Sequence, residues 1–112
     1  ELRRHVLAAA DRLQMRVRDG GTVVVIQGPR FGTRAESEWY ARQGWHLVNM
    51  TQYPEAVLAR ELQLRYAGIA LVTDADTGSE PGSGVTQEEV FAAFDEHIDR
   101  LRALVIEAIE HL

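Results

Sequence analysis

A chain of 112 residues, 46% apolar and 26% charged, has room for one compact domain and an ordinary globular composition, which excludes collagen-like, fibrous and disordered classes. It has no cysteine, so disulfide frameworks, thiolate metal sites and cysteine nucleophiles are ruled out. The net charge of −5 comes from 17 acidic and 12 basic residues; residues 1–85 carry ten of each, and the surplus lies in 86–112, where seven acids face only Arg100 and Arg102, the pattern of a solvated acidic helix face and not of a nucleic-acid surface.

The chain opens on Leu2, Val6, Ala9, Ala10, Leu13 and Val17, a repeat of three to four that predicts an amphipathic helix ending at Asp19-Gly20-Gly21. Thr22 to Gln27 is a β-branched apolar run of strand length, bounded by glycine, and reads as a buried, parallel strand. A turn at Gly28 to Gly32 follows, and Thr33 with Glu36 has the spacing of a capping box that starts a helix to about Gln43. His46 to Val48 is a short strand and Asn49 to Tyr53 a loop. Pro54 then suits the first position of a helix through about Leu64. Tyr66 to Thr73 is the third predicted strand. The glycine- and serine-rich stretch Thr77 to Gly84 reads as a surface loop. Thr86 with Glu89 is a second capping box, and Val90, Phe94, Ile98, Leu101, Val105, Ile109 and Leu112 form one stripe on a final helix about 40 Å long. Such a helix asks for a larger body to pack along than these residues build.

Alternating helices and strands imply an α/β architecture with parallel strands and right-handed crossovers. Chemistry in such sheets gathers at the carboxyl ends of the strands, where three loops fall: Gly28–Gly32, Asn49–Tyr53 and the stretch from Asp74 to Gly84. Asp74 and Asp76, one residue apart after an apolar strand, can orient a hydroxyl, hold the donor edge of a base, bind a cation or simply form a turn. Asn49-Met50-Thr51 offers an amide, a pliable thioether and a hydroxyl, suited to a sugar or an oxyanion, or to closing its own loop. Arg30 can clamp an anion or pair with Glu36 or Glu55, and Phe31 can stack. The histidines His5, His46, His97 and His111 show no metal spacing, and no metal site is expected. The longest apolar runs are far shorter than the roughly 20 residues of a membrane helix. No targeting segment is legible at Glu1, so the expected location is the cytoplasm.

Taken in order, Gly28-Pro-Arg-Phe-Gly-Thr-Arg-Ala-Glu-Ser37, Asn49-Met-Thr51, Pro54-Glu-Ala-Val-Leu-Ala-Arg-Glu61 and Thr73-Asp-Ala-Asp76 resemble the carboxyl-terminal half of the trimeric purine nucleoside phosphorylases, the family that includes the methylthioadenosine phosphorylases. The resemblance runs from about Gly20 into the last helix. It implies a three-layer α/β/α fold with a mainly parallel central sheet, of which residues 1–112 would be the C-terminal half of one domain. It implies reversible phosphorolysis of a purine nucleoside, with 5′-methylthioadenosine the leading substrate, inorganic phosphate as co-substrate, no cofactor and a homotrimeric assembly. Asp74 would be the catalytic acid at the purine, assisted by Asp76. Met50 would pack on the sugar, Phe31 would border the base, and Thr51 would bind phosphate. Gly32 stands where methylthioadenosine-specific members carry Ser, Ala75 replaces a Tyr, and Gln87, Val90 and Phe91 would face the 5′ substituent and set specificity. A polar Gln87 would tolerate a 5′-hydroxyl. Most of the family's phosphate-binding residues lie in an amino-terminal half that nothing here matches, so these residues are expected to be part of a longer subunit and inactive alone. The alternatives are a 6-oxopurine nucleoside phosphorylase, a non-catalytic nucleoside-binding fragment, and an assembly piece whose long helix packs on a partner.

Overall fold

In the computed structural model the described residues are 1–75 and 86–112. They form α1 (Leu2–Arg12), β1 (Val23–Val25), α2 (Arg34–Arg42), β2 (Leu47–Asn49), α3 (Gln52–Glu61) and α4 (Gln87–Glu110). Among them no helix is long and apolar enough to cross a membrane.

Both predicted capping boxes form. The Thr33 hydroxyl accepts the Glu36 N–H while the Glu36 carboxylate accepts the Thr33 N–H, and Thr86 and Glu89 repeat the exchange at the head of α4. Each satisfies two backbone donors that a helix start leaves unpaired. Helix α1 ends at Arg12, well short of the predicted Val17. Gln14 takes φ +52° there, the Met15 N–H bonds the Ala10 carbonyl at 2.8 Å, and the Gln14 N–H bonds Asp11, which closes the last turn from within. Helix α3 ends in the same way: Gln63 takes φ +56° and Leu64 N–H bonds Ala59 at 2.8 Å. At its start Tyr53 is non-helical, at φ −106°, ψ 132°, so the range from Gln52 spans a kink and the regular turns begin at Pro54, as expected.

Strands β1 and β2 pair in parallel, with Val23, Val24 and Val25 opposite Leu47, Val48 and Asn49. A further bond from Ile26 N–H to the Asn49 carbonyl, 2.9 Å, carries the pairing one residue on. The strand predicted over Thr22–Gln27 is therefore real but shorter, and it is half-buried where full burial was expected, since a two-stranded sheet covers little of its own faces. The third predicted strand does not form. Residues 66–73 run without a ladder partner among the described residues, separated from β2 by a cleft. The predicted loop Thr77–Gly84 lies outside the described residues.

The core is the seam between α1 and α4, where Ala9, Ala10, Leu104 and Ala108 are buried and Val6 and Met15 pack on them. Small residues on both helices let the axes approach closely. Of the other apolar side chains of α4, Val90, Ile98 and Leu101 are half-buried, and Phe91, Phe94, Val105, Ile106 and Ile109 are exposed, as is Leu112 just beyond it. The total accessible surface is 8662 Å² for 12.6 kDa, against about 6,200 Å² for a folded monomer of that mass. The long helix thus has the unmet packing surface that its length implied.

Candidate functional site

The cleft between β2 and the extended segment has a volume of about 660 Å³, inside the range of small-molecule sites. One wall carries Asn49, Thr51, Gln52 and Glu55. The other runs from Tyr66 to Asp74 and Ala75. Two of the three loops singled out from sequence therefore meet on one cavity. The third lies off its walls. A Cβ added at Gly28 would lie 2.9 Å from the Met50 Sδ, so the start of the Gly28–Gly32 turn lies directly against Met50.

Thr51 stands just before α3, is exposed, and makes no side-chain cap bond. Its hydroxyl is thus left for another partner. Asp74 is half-buried, and one of its oxygens accepts a 2.6 Å bond from the Thr73 hydroxyl. That bond orients the carboxyl and leaves its second oxygen for another donor. Asn49 is held from both ends: its backbone carbonyl caps the β1 ladder, and its amide N–H donates to Gln52 Oε1 at 3.1 Å. Its Oδ1 is buried without a partner among the described residues.

Arg30 does not point to an anion site. Its guanidinium grips both oxygens of Glu36 at 2.7 and 2.8 Å, the bidentate geometry in which arginine binds carboxylate best. This fork, together with the N–H and hydroxyl of Thr33, holds the Glu36 carboxyl down to about 2. The same bond raises the Arg30 guanidinium. Arg30 is therefore a brace of the α2 head, the structural one of its two sequence readings.

Of the other residues singled out, Phe31 is 51% exposed beside the Met50 contact and Gly32 is half-buried; neither lines the cleft. Gln87, Val90 and Phe91 occupy the first turns of α4, with Phe91 57% exposed, and they too lie off its walls. Asp76 lies outside the described residues. No group of three or more metal-binding side chains gathers among the described residues.

Sequence reasoning missed the Tyr66–Glu55 contact. The Tyr66 hydroxyl donates to Glu55 Oε1 at 2.6 Å, joining the two walls, and this bond is the main reason the Tyr66 phenol titrates above its ordinary value. The sequence places Glu55 in the first turn of α3 and among the partners open to Arg30, with nothing to set it opposite Tyr66. A pairing eleven residues apart across a helix has no local signature.

A phosphorylase superfamily profile matches residues 1–110. The chain is 64% identical over 92 residues to the S-methyl-5′-thioadenosine phosphorylase of Mycolicibacterium smegmatis, a match that covers 82% of this chain and 36% of that protein. It is 56% identical over 94 residues to the purine nucleoside phosphorylase of Streptomyces coelicolor, covering 84% of this chain and 34% of that one. Among solved structures, a variant of the adenosine/methylthioadenosine phosphorylase of Schistosoma mansoni in complex with adenine superimposes with a TM-score of 0.92 at 33% identity. That match covers 97% of this chain and 44% of the other. The chain thus has the α/β fold of these phosphorylases and spans between a third and a half of the length of the relatives it matches.

Proposed function

This chain belongs to the phosphorylase superfamily, and from that membership we propose that it forms the purine and sugar side of a cytoplasmic, trimeric nucleoside phosphorylase. The reaction is reversible phosphorolysis of 5′-methylthioadenosine, or a related purine nucleoside, to the free base and the ribose 1-phosphate. The observation that carries the proposal is the presence of Asp74 and Thr51 on the walls of one cleft beside Met50. Phosphorolysis breaks the bond from C1′ to the purine nitrogen while a phosphate oxygen bonds C1′ from the opposite face. Positive charge develops on the sugar and negative charge on the departing purine, and the site must stabilise both. Asp74, held by the Thr73 hydroxyl, shares a proton with purine N7 and accepts from a 6-amino group. The Thr51 hydroxyl binds phosphate, Met50 packs on the sugar, Phe31 borders the base, and Asp76 assists Asp74. Gly32, Gln87, Val90 and Phe91 set the fit at the base and the 5′ group. No cofactor is needed, because phosphate is itself the nucleophile.

The test is phosphate-dependent release of adenine by the whole protein, with methylthioadenosine, adenosine and inosine compared side by side. Turnover is expected with the 6-aminopurines first and is expected to vanish without phosphate. Asp74→Ala should lower kcat by about 10²-fold or more, the usual contribution of a general acid. Asp74→Asn should move the preference toward inosine, since an amide can donate to a 6-oxo group. Unchanged turnover in Asp74→Ala would remove Asp74 from the mechanism, and nucleoside binding without any phosphate dependence would point to the non-catalytic alternative.

A further inference from the structure

The two cleft walls meet through one hydrogen bond among the described residues. A carboxylate only accepts, so the Tyr66 hydroxyl must donate to Glu55. The Gln52 amide bears on the same phenol and partly offsets the effect of Glu55. On the wall that carries Thr51, Gln52 presents Oε1 to the Asn49 amide at 3.1 Å, and the bond from Tyr66 to Glu55 crosses the cleft. Among the described residues no backbone bond crosses it, and Tyr66–Glu55 is the short side-chain bond that does. The wall ending at Asp74 is therefore clipped to the wall carrying Thr51 at one place, next to Gly68, where a Cβ would run into the Gln52 amide.

We infer that Tyr66 is a positioning residue: its bond to Glu55 sets the spacing of the two walls, and so the distance between the base-side carboxyl of Asp74 and the phosphate-side hydroxyl of Thr51. The inference rests on the phosphorylase reading for its kinetic form and on the geometry alone for its structural form. Tyr66→Phe keeps the ring and removes the clip. In the whole enzyme it should raise KM for the nucleoside about fivefold with kcat within twofold, the signature of lost organisation in the free site. Glu55→Ala should do the same, and the double variant should be no worse than either, because both remove one bond. Glu55→Gln retains an acceptor oxygen and should stay within twofold of the parent. Multiplying effects in the double variant, or an unchanged KM in Tyr66→Phe, would overturn the inference. Amide exchange separates its failure from that of the reading beneath it. Residues 49–52 and 67–74 should exchange at least severalfold faster in Tyr66→Phe whether or not the protein turns over nucleoside, and unchanged exchange at both walls overturns the clip on its own.

Discussion

Arg30 and Asp74 differ in how much of their bonding capacity neighbouring groups take up. Arg30 donates to both oxygens of Glu36 and to the Phe31 carbonyl, whereas Asp74 accepts from Thr73 through one oxygen. The Glu36 carboxyl, ordinarily near 4.5, is held at about 2 in the fold. A depressed carboxyl stabilises the fold fully above its unfolded value and loses that contribution as pH falls from about 4.5 through about 2. The pair is exposed, so the effect is modest and weakens with salt. An NMR titration should place the Glu36 midpoint near 2 and, in Arg30→Ala, move it back toward 4.5. A midpoint that does not move would assign the depression to the Thr33 cap alone. At this scale the sequence left Arg30 with alternatives, because both Glu36 and Glu55 were in reach by spacing. Only the positions of the two acids separated them: Glu36 closes on Arg30 within its own turn, and Glu55 is taken by Tyr66.

Helix starts were legible and helix ends were not, for a definite reason. A start needs side-chain acceptors, and Thr33/Glu36 and Thr86/Glu89 announce them three residues apart. An end needs one residue in the left-handed region, for which glycine is the only strong marker. Gly44 provides it for α2 at φ +72°, and the predicted end there holds within a residue. At α1 and α3 the same role falls to Gln14 and Gln63, residues that carry no such signal. Gly44→Ala should therefore destabilise the fold by about 1 kcal/mol, and crowding plays no part, since nothing lies within 4 Å of the added Cβ. Gln14→Gly should do the opposite, raising stability by about 0.5–1 kcal/mol as left-handed strain is relieved. Chemical denaturation of the parent and both variants measures the two effects, and a gain in Gly44→Ala would contradict the cap assignment. At the α1–α4 seam, Leu104→Ala should cost about 2–4 kcal/mol, because a residue only 2% exposed would leave a cavity between two helices whose facing residues are already small.

At the scale of the molecule, the surface is about 2,500 Å² larger than that of a folded monomer of this mass, 8662 Å² against roughly 6,200 Å². Large apolar side chains on α4, α3 and residues 66–72 are among those exposed. The 112 residues produced alone should accordingly self-associate and bind a hydrophobic dye, whereas a polypeptide with the length of the matched relatives should do neither beyond its native assembly. Light scattering on both reads the outcome, and a monodisperse, dye-silent 112-residue chain would show that these faces are tolerated in water. The residue pattern by itself determined the order helix, strand, helix, strand, helix over the first 61 residues and the two capping boxes, because each depends on groups a few positions apart. Tertiary structure decided whether residues 66–73 pair, which acid takes Arg30 and which tyrosine joins the cleft walls. Those outcomes depend on what lies across a gap in space, and hydrogen-bond donors far apart in the chain leave no periodic trace along it.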